Sequence, residues 1–228
     1  MSATTKFIVW DWNGTLLDDA EAVVSTYNFI LASVGRGPIT VDNYRDWHEM
    51  PFENVLRRAG LSEAELEKIV AAKWHHMFHD HYEPLADQVP MRDGALEILG
   101  SLHAGNVHSY ILSNHLEAPI RRQLDRLKLE HFFKDVLAYA SRETQFKHMT
   151  KGEKLKKYIA ENNLGTGNSV IVGDTMEEIE IARDQRLLSV AITGGCISES
   201  RLRAAKPDHL IHSLHELRPI LRERGFVS

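Results

Sequence analysis

The stretch FIVWDWNGTLLD, residues 7–18, decides the fold of this chain. Its first four residues, 7–10, form an uninterrupted apolar run, which is typical of a strand buried on both faces. A carboxylate, Asp11, follows that run directly, and a glycine, Gly14, stands shortly after it. The pattern predicts a buried strand that ends in a sharp turn, with an acidic side chain at its carboxyl end.

Further short apolar runs recur along the chain and alternate with segments whose apolar residues have helical spacing. The runs predict strands at 107–112, 135–138, 169–172, 188–192 and 209–211. The segments between them predict helices at 119–127, 152–161, 177–186, 199–204 and 214–222. Strands that alternate with helices in this way indicate an α/β fold, a Rossmann-like parallel sheet core flanked by helices.

One stretch, residues 18–89, contains no convincing strand and interrupts this alternation. Its apolar residues fall at helical spacing, three prolines punctuate it (Pro38, Pro51 and Pro84), and Pro90 follows it directly. We therefore predict a helical cap at 18–89, inserted after the first strand of a Rossmann-like core formed by 1–17 and 90–228. An insertion at that point lies over the carboxyl ends of the strands, where open α/β sheets bind ligands.

Composition and charge exclude several classes of protein. The 228 residues are 43% hydrophobic and 26% charged, ordinary values that exclude disordered, collagen-like and coiled-coil chains. Lysine and arginine number 27 against 32 aspartates and glutamates, which gives a net charge of −5. Because no extended basic run is present, we expect no nucleic-acid partner.

From the first residues of the sequence we expect neither secretion nor membrane insertion. The apolar run at 7–10 is far too short for a signal-peptide core or a membrane span. Cys196 is the only cysteine, so no intrachain disulfide can form, which suits a reducing compartment. We expect a cytoplasmic protein with no membrane partner, either a monomer or a homodimer.

Four polar segments stand at predicted strand ends or at the start of a predicted helix. They are DWNGTLLD (11–18), ILSN (111–114), KG (151–152) and VGDT (172–175), the last followed by Glu177 and Glu178. Each segment is a weak signal by itself. Their order and their shared position make the combination far more specific.

Together the four segments resemble the haloacid dehalogenase superfamily. Its pattern is DxDGT[L/V] after the first strand, Ser or Thr after the second, Lys before a later helix, and GDxxxD after the fourth strand. The chain is most similar to the phosphoglycolate phosphatase-like branch with a helical cap, over nearly its whole length, including 90–94 and 200–208. The resemblance implies a Mg²⁺-dependent phosphohydrolase that acts on a small phosphorylated metabolite through an aspartyl-phosphate intermediate.

The resemblance also implies roles for individual residues. Asp11 would be the nucleophile, because a carboxylate can attack phosphorus and split one difficult displacement into two. Asp11, Asp174 and the backbone carbonyl of Asn13 would hold Mg²⁺, which prefers hard oxygen ligands. Glu178 would hold metal-bound waters, at a position where the family carries Asp or Glu.

A second group would bind the phosphoryl oxygens. Hydrogen bonds to these oxygens would come from Ser113, Asn114 and the backbone N–H groups near Gly14 and Thr15. A lysine would bind the same oxygens and neutralise developing negative charge. Lys151 and Lys147 compete for the lysine role, and the Lys-Gly pair favours Lys151. The expected catalytic set consists of Asp11, Asn13, Ser113 and Lys151.

Position 13 departs from the family, whose phosphatases carry an acid/base Asp there. Asn13 cannot protonate a leaving group, so it predicts slow hydrolysis of alkyl esters or a substrate with a good leaving group, such as an acyl phosphate, an aryl phosphate or pyrophosphate. A dehalogenase, a phosphonatase with a cap lysine (Lys68 or Lys73), and a weakly active or non-catalytic phosphate-binding protein remain alternatives.

The predicted cap offers two further sets of candidates. Arg57 and Arg58 match the cap segment that faces the active site in the family, so they are candidates for substrate contact. His75 and His79 stand four residues apart and could share a metal on one helix face. No glutamate completes the HExxH pattern, and a polar helix face is the favoured interpretation.

Overall fold

A computed structural model describes residues 6–49, 51–142 and 149–227, without the side chains of Trp74 and His75. In this part of the chain the strands are β1 (Phe7–Trp10), β2 (His108–Leu116), β3 (Phe133–Tyr139), β4 (Val170–Gly173), β5 (Leu188–Ile192) and β6 (His209–Ile211). All neighbouring strands are parallel, in the order β3-β2-β1-β4-β5-β6. The predicted α/β fold is confirmed.

Eleven α-helices accompany the strands in the described residues. The first five, which all follow β1 and precede β2, are α1 (Ala20–Ser33), α2 (Val41–Trp47), α3 (Glu53–Arg58), α4 (Glu63–Ala71) and α5 (Trp74–Ala86). The other six are α6 (Ala95–Ala104), α7 (Glu117–Leu127), α8 (Lys151–Glu161), α9 (Met176–Gln185), α10 (Glu199–Ala204) and α11 (Leu217–Glu223). We refer to α1–α5 as the helical insertion.

The strand β1 is buried on both faces because helices cover both sides of the sheet. Ile8 and Trp10 belong to one hydrophobic cluster, whereas Phe7 and Val9 belong to another on the opposite face. All four residues are fully buried. This two-sided burial explains why β1 reads as a continuous apolar run rather than as an alternating one.

The helical insertion has a hydrophobic cluster of its own. Tyr27 of α1 is fully buried there, and its ring lies 5.6 Å from that of Tyr44 in α2 and 5.7 Å from that of Phe78 in α5. Val55 and Leu56 of α3 are also fully buried in this cluster. The insertion therefore folds around its own apolar side chains beside the sheet.

Contacts from two elements of the helical insertion tie it to the rest of the chain. The Arg45 guanidinium of α2 donates to the backbone carbonyls of Gly194 and Gly195, at 2.7 and 3.0 Å. On the other side, Arg122 of α7 forms ion pairs with Glu83 and Asp87 at the end of α5, at 3.1 and 2.7 Å.

Local differences from the predicted elements have simple causes. The structure adds α6, whose apolar spacing was not assigned to a helix. Pro84, expected to punctuate the chain, lies inside α5 near its last turn. Lys73 adopts a left-handed backbone conformation (φ 54°) and separates α4 from α5. Among the described residues, no helix is both long and apolar enough to cross a membrane.

Candidate active site

The candidate site lies where two neighbouring parallel strands end. Asp11 follows β1 and Asp174 follows β4, and these strands pair directly, with Trp10 opposite Val172. The strand order runs outwards from this pair in opposite directions, towards β3 and towards β6. Such a switch point leaves a crevice at the carboxyl ends of the strands, where open α/β sheets bind ligands.

A lysine and two carboxylates form a buried ionic cluster at this point. The Lys151 Nζ donates to Asp11 Oδ1 at 2.6 Å and to Glu178 Oε1 at 2.5 Å. All three side chains are at least nine-tenths buried. Lys151 is the first residue of α8, where Thr150 and Glu153 form a capping box that fixes the start of the helix.

Asp174 is held from both sides by hydrogen-bond donors. The Thr15 hydroxyl donates to Asp174 Oδ1 at 3.0 Å, and the backbone N–H of Cys196 donates to Oδ2 at 2.6 Å. Thr15 also lies 3.5 Å from Asp11 Oδ2 and so spans the two carboxylates. These bonds orient Asp174 towards the end of β1.

Glu178 has a structural function in addition to its contact with Lys151. Its Oε2 accepts hydrogen bonds from the backbone N–H and the hydroxyl of Thr175, at 3.0 and 2.6 Å, as part of the capping box that begins α9. The contact with Lys151 uses the other oxygen. Glu178 thus links the start of α9 to the lysine at the start of α8.

The cluster contains more negative than positive charge. Burial, the largest effect, raises the pKa of Asp11 well above its ordinary value; Lys151 opposes this, and Glu178 and Asp174 add to it. Burial and the Glu178 charge likewise raise the pKa of Asp174. The single ammonium of Lys151 faces three buried carboxylates, so negative charge remains uncompensated. Because these carboxylates offer oxygen ligands, they suit a divalent cation such as Mg²⁺.

Gly14 provides the space that Asp174 occupies. Its φ is +72°, and a Cβ at this position would lie 2.4 Å from Asp174 Oδ2. The Arg92 guanidinium holds the same turn by donating to the Gly14 carbonyl at 2.7 Å and to the Thr193 carbonyl at 2.7 Å. The turn therefore requires glycine for both its backbone conformation and the room it leaves.

We expect Gly14→Ala to destabilise the fold more than the same change at Gly35. Gly35 has a nearly identical φ of +73° but nothing within 4 Å of a built Cβ. Gly35→Ala should cost about 1–2 kcal/mol of unfolding free energy through its left-handed backbone, and Gly14→Ala at least about 1 kcal/mol more through overlap with Asp174. Urea unfolding of both variants measures this difference. Equal losses of unfolding free energy would contradict the overlap of the added methyl group at position 14 with Asp174.

The Asn13 side chain is held by two residues that the sequence pattern did not indicate. Its Nδ2 donates to Asp19 Oδ2 at 2.9 Å and to the Tyr82 hydroxyl at 2.7 Å. Tyr82, from α5, donates to the same Asp19 oxygen, and the backbone N–H of Gly14 donates to Asp19 Oδ1 at 2.7 Å. Burial raises the pKa of Asp19 above its ordinary value, although these hydrogen bonds oppose the change.

The second motif lies inside β2 rather than after it. β2 continues to Leu116, with an irregular register against β3 between Leu112 and Leu116. Ser113 is buried there, and its Oγ accepts a hydrogen bond from the backbone N–H of His115 at 3.0 Å. The prediction that the strand ends before Ser113 was wrong, because this irregularity allows a polar segment within the strand.

Two side chains hold this motif against the neighbouring helices. Lys154 Nζ donates to the Ser113 carbonyl at 2.8 Å, and Asn114 Nδ2 donates to Glu177 Oε2 at 2.6 Å. Burial and the nearby Lys151 charge lower the pKa of Lys154 to about 8. Lys154 belongs to none of the four polar segments. Its contact with Ser113 was not predictable from the sequence, because it depends on how α8 packs beside β2.

Arg57 and Arg58 form ion pairs with exposed glutamates, and Lys147 lies outside the described residues. Arg57 forms an ion pair with Glu63 at 2.9 Å, and Arg58 pairs with Glu49 at 3.4 Å; all four side chains are exposed. Lys147 lies outside the described residues, so its competition with Lys151 for the lysine role is not resolved by geometry.

The histidines and lysines of the predicted cap form two further groups of candidates. The side chain of His75 is not described, so the pairing of His75 with His79 cannot be followed. His79 is 6% exposed, so its side chain is buried rather than open to solvent. Lys68, on α4, and Lys73, directly before α5, are both exposed.

Comparison with a family model places this site in context. The model for haloacid dehalogenase-like hydrolases matches residues 8–192, which include Asp11, Ser113, Lys151 and Asp174. The chain belongs to this family. The resemblance inferred from the four segments is thereby confirmed at the level of the family, and the chain is a hydrolase of this fold.

Individual relatives extend the similarity over nearly the whole chain. A phosphoglycolate phosphatase from Synechococcus elongatus is 26% identical over 213 residues, 92% of this chain and 94% of the relative. One from Agrobacterium fabrum is 24% identical, over 95% and 92% of the two chains. A haloacid dehalogenase-like family hydrolase from Streptococcus pneumoniae shares the fold, with a TM-score of 0.78, 19% identity and coverage of 95% and 98%.

Proposed function

We propose that this protein is a Mg²⁺-dependent phosphohydrolase that acts on a small phosphorylated metabolite through an aspartyl-phosphate at Asp11. The observation that carries this proposal is the juxtaposition of Asp11, Asp174 and Lys151 at the switch point of the sheet. The phosphoglycolate phosphatases among its relatives support a phosphate ester or anhydride as substrate.

The residues at the site fit Mg²⁺. Asp11, Asp174 and the backbone carbonyl of Asn13 would hold the ion, and Glu178 stands beside them as a further carboxylate. When bound, Mg²⁺ would offset the negative charges of nucleophile and phosphoryl group so that they can approach each other. The excess of buried carboxylates over ammonium groups supports this assignment.

The reaction proceeds in two steps on Asp11. Its carboxylate attacks phosphorus, an oxygen–phosphorus bond forms, and the bond from phosphorus to the leaving oxygen breaks. Water then attacks the acyl phosphate, which releases inorganic phosphate and restores the Asp11 carboxylate. Lys151 and Ser113, the backbone N–H groups near Gly14 and Thr15, and the Asn114 side chain bind phosphoryl oxygens and stabilise the charge that develops on them.

Asn13 limits the choice of substrate. An amide cannot supply a proton to the leaving oxygen, and such help typically contributes about 10²–10⁴-fold to the rate. The leaving group must therefore depart without it, as the leaving groups of acyl phosphates, aryl phosphates and pyrophosphate do. We propose that 18–89 acts as a cap that excludes water from the site and selects among such substrates.

Removal of divalent cations provides the test. We expect wild-type protein with Mg²⁺ to release phosphate from at least one activated phosphate in a panel that includes acetyl phosphate, an aryl phosphate and pyrophosphate. EDTA should abolish this activity, and added Mg²⁺ should restore it.

Asp174→Asn provides the matched variant for this test. It should lose most of the activity and require more Mg²⁺ for what remains. Hydrolysis of a haloacid that persists in EDTA would instead favour a dehalogenase. Phosphate binding without release of phosphate from any member of the panel would favour a non-catalytic binding protein.

A further inference from the structure

Two histidines and a glutamate meet where the helical insertion contacts the sheet, and none of the roles above uses them. His79 and Glu83 stand one turn apart on α5, and His115 comes from β2. His79 and His115 are 6% and 8% exposed, and the Glu83 side chain is 14% exposed. One ligand atom from each of the three residues lies within 4.8 Å of the other two.

Both imidazoles point at the same carboxylate oxygen. His79 Nδ1 lies 3.1 Å from Glu83 Oε1, and His115 Nε2 also lies 3.1 Å from it. The two rings are stacked nearly parallel, at 8° and 5.5 Å between centroids. His115 Nε2 is buried and lacks the alignment for a hydrogen bond to any described residue. His115 Nε2 therefore faces the other two residues of the cluster without forming a hydrogen bond to either.

These separations are close to those within a tetrahedral metal site. Bonds of about 2.0–2.2 Å from zinc to nitrogen or oxygen place neighbouring ligand atoms roughly 3.3 Å apart. Two of the three ligand pairs here are separated by 3.1 Å. Only small side-chain movements are needed to admit an ion between the three atoms.

Arg122 fixes the orientation of the glutamate. Its Nη2 contacts Glu83 Oε2 at 3.1 Å, while its Nε donates to Asp87 at 2.7 Å. With Oε2 held by Arg122, Oε1 is the oxygen presented to the two histidines. Outer partners of this kind orient metal ligands and strengthen binding.

We propose that His79, Glu83 and His115 bind a zinc-class divalent transition metal that bridges the helical insertion and the sheet. Two imidazoles and one carboxylate suit Zn²⁺ or Co²⁺, whereas Mg²⁺ prefers oxygen ligands alone. Three protein ligands leave a fourth position for water. The site shares no residue with the oxygen cluster formed by Asp11 and Asp174, and its occupancy does not depend on the proposed reaction.

Co²⁺ provides a spectroscopic probe of this site that needs no activity. The measurements use protein with excess Mg²⁺, in both wild type and the Asp174→Asn variant, which lacks a ligand of the proposed Mg²⁺ site. We expect one equivalent of Co²⁺ to give the visible absorption of a low-coordinate ion in both proteins, and one equivalent of Zn²⁺ to displace it.

Variants of each ligand locate the ion. His79→Gln, Glu83→Gln and His115→Asn should each weaken Co²⁺ binding by more than about 100-fold, and Arg122→Gln by about 10–100-fold as an outer partner. The matched control is His131→Gln, which removes an exposed histidine and should leave binding unchanged. Binding that survives His115→Asn would show that the ion does not bridge the two parts and would overturn the proposal.

Thermal unfolding gives a second readout that does not require the variants of the three ligands to fold. Zn²⁺ at 100 times its dissociation constant should raise the unfolding free energy by about 2.7 kcal/mol. The increase should persist in Asp174→Asn. The absence of any increase in wild type, or its loss in Asp174→Asn, would overturn the site whatever the outcome of the phosphatase assays.

Discussion

Asp11→Asn is expected to lower kcat on the best activated phosphate by on the order of 10⁴–10⁶-fold, the range seen when a covalent catalytic group is removed. The amide is nearly the same size as the carboxylate and can still accept the hydrogen bond from Lys151, so the fold should persist. What disappears is the anionic oxygen that attacks phosphorus. Steady-state and single-turnover phosphate release measure this loss.

Asp18→Asn is the matched control for that variant. Asp18 lies in the same segment and undergoes the same chemical change, but it is exposed, whereas Asp11 is 6% exposed. It should retain activity within a few-fold of wild type. If Asp11→Asn kept a comparable rate while remaining folded, Asp11 would not be the nucleophile.

Asn13→Asp alone is expected to gain little activity on alkyl phosphate esters. The new carboxylate at position 13 would lie beside the carboxylate of Asp19, because Asn13 Nδ2 now donates to Asp19 Oδ2 at 2.9 Å. Two carboxylates at this distance cannot both be ionised without a large cost. The variant should therefore unfold at lower urea concentration than wild type, and the loss of stability should grow as pH rises and both groups ionise.

Exchanging the two groups removes this conflict. In Asn13→Asp combined with Asp19→Asn, the amide at position 19 can donate to the carboxylate at position 13, and Tyr82 can donate to that carboxylate as well. This double variant should recover wild-type stability and gain about 10²–10⁴-fold on alkyl monoesters, the usual size of general acid–base help. Rates on acyl phosphates, which need no acid, should change little.

Asp19→Asn alone is the control for the exchange. It keeps an oxygen for the backbone N–H of Gly14, now 2.7 Å from Asp19 Oδ1, but provides no acid at position 13. It should gain nothing on alkyl esters. Equal gains in the single Asn13→Asp and the double variant would contradict the idea that Asp19 limits the function of position 13.

Much of the fold and of the site was predictable because parallel strands place their carboxyl ends at one edge. Asp11 and Asp174 are distant in sequence, but each directly follows a buried apolar run, and the two runs pair as β1 and β4. The Lys-Gly pair at a predicted helix start favoured Lys151, and α8 does begin at that residue. These features are local, and the sheet topology alone brings them together.

The environment of Asn13 was not predictable in the same way. Tyr82 reaches Asn13 and Asp19 from α5, and its position depends on how the helical insertion packs on the sheet. The convergence of His79, Glu83 and His115 depends on the same packing. A side chain on an amphipathic helix can be assigned to a face from sequence, but the residue opposite that face is fixed only by the tertiary arrangement.

Reductive trapping of the intermediate tests the central claim most directly. Wild-type protein is mixed with Mg²⁺ and its best activated phosphate, treated with borohydride during turnover, digested and sequenced by mass spectrometry. Borohydride reduces an acyl phosphate to the alcohol, so the account predicts homoserine at position 11 and aspartate at positions 18, 19 and 174. Active protein with no homoserine at position 11, or with homoserine at another aspartate, would contradict it.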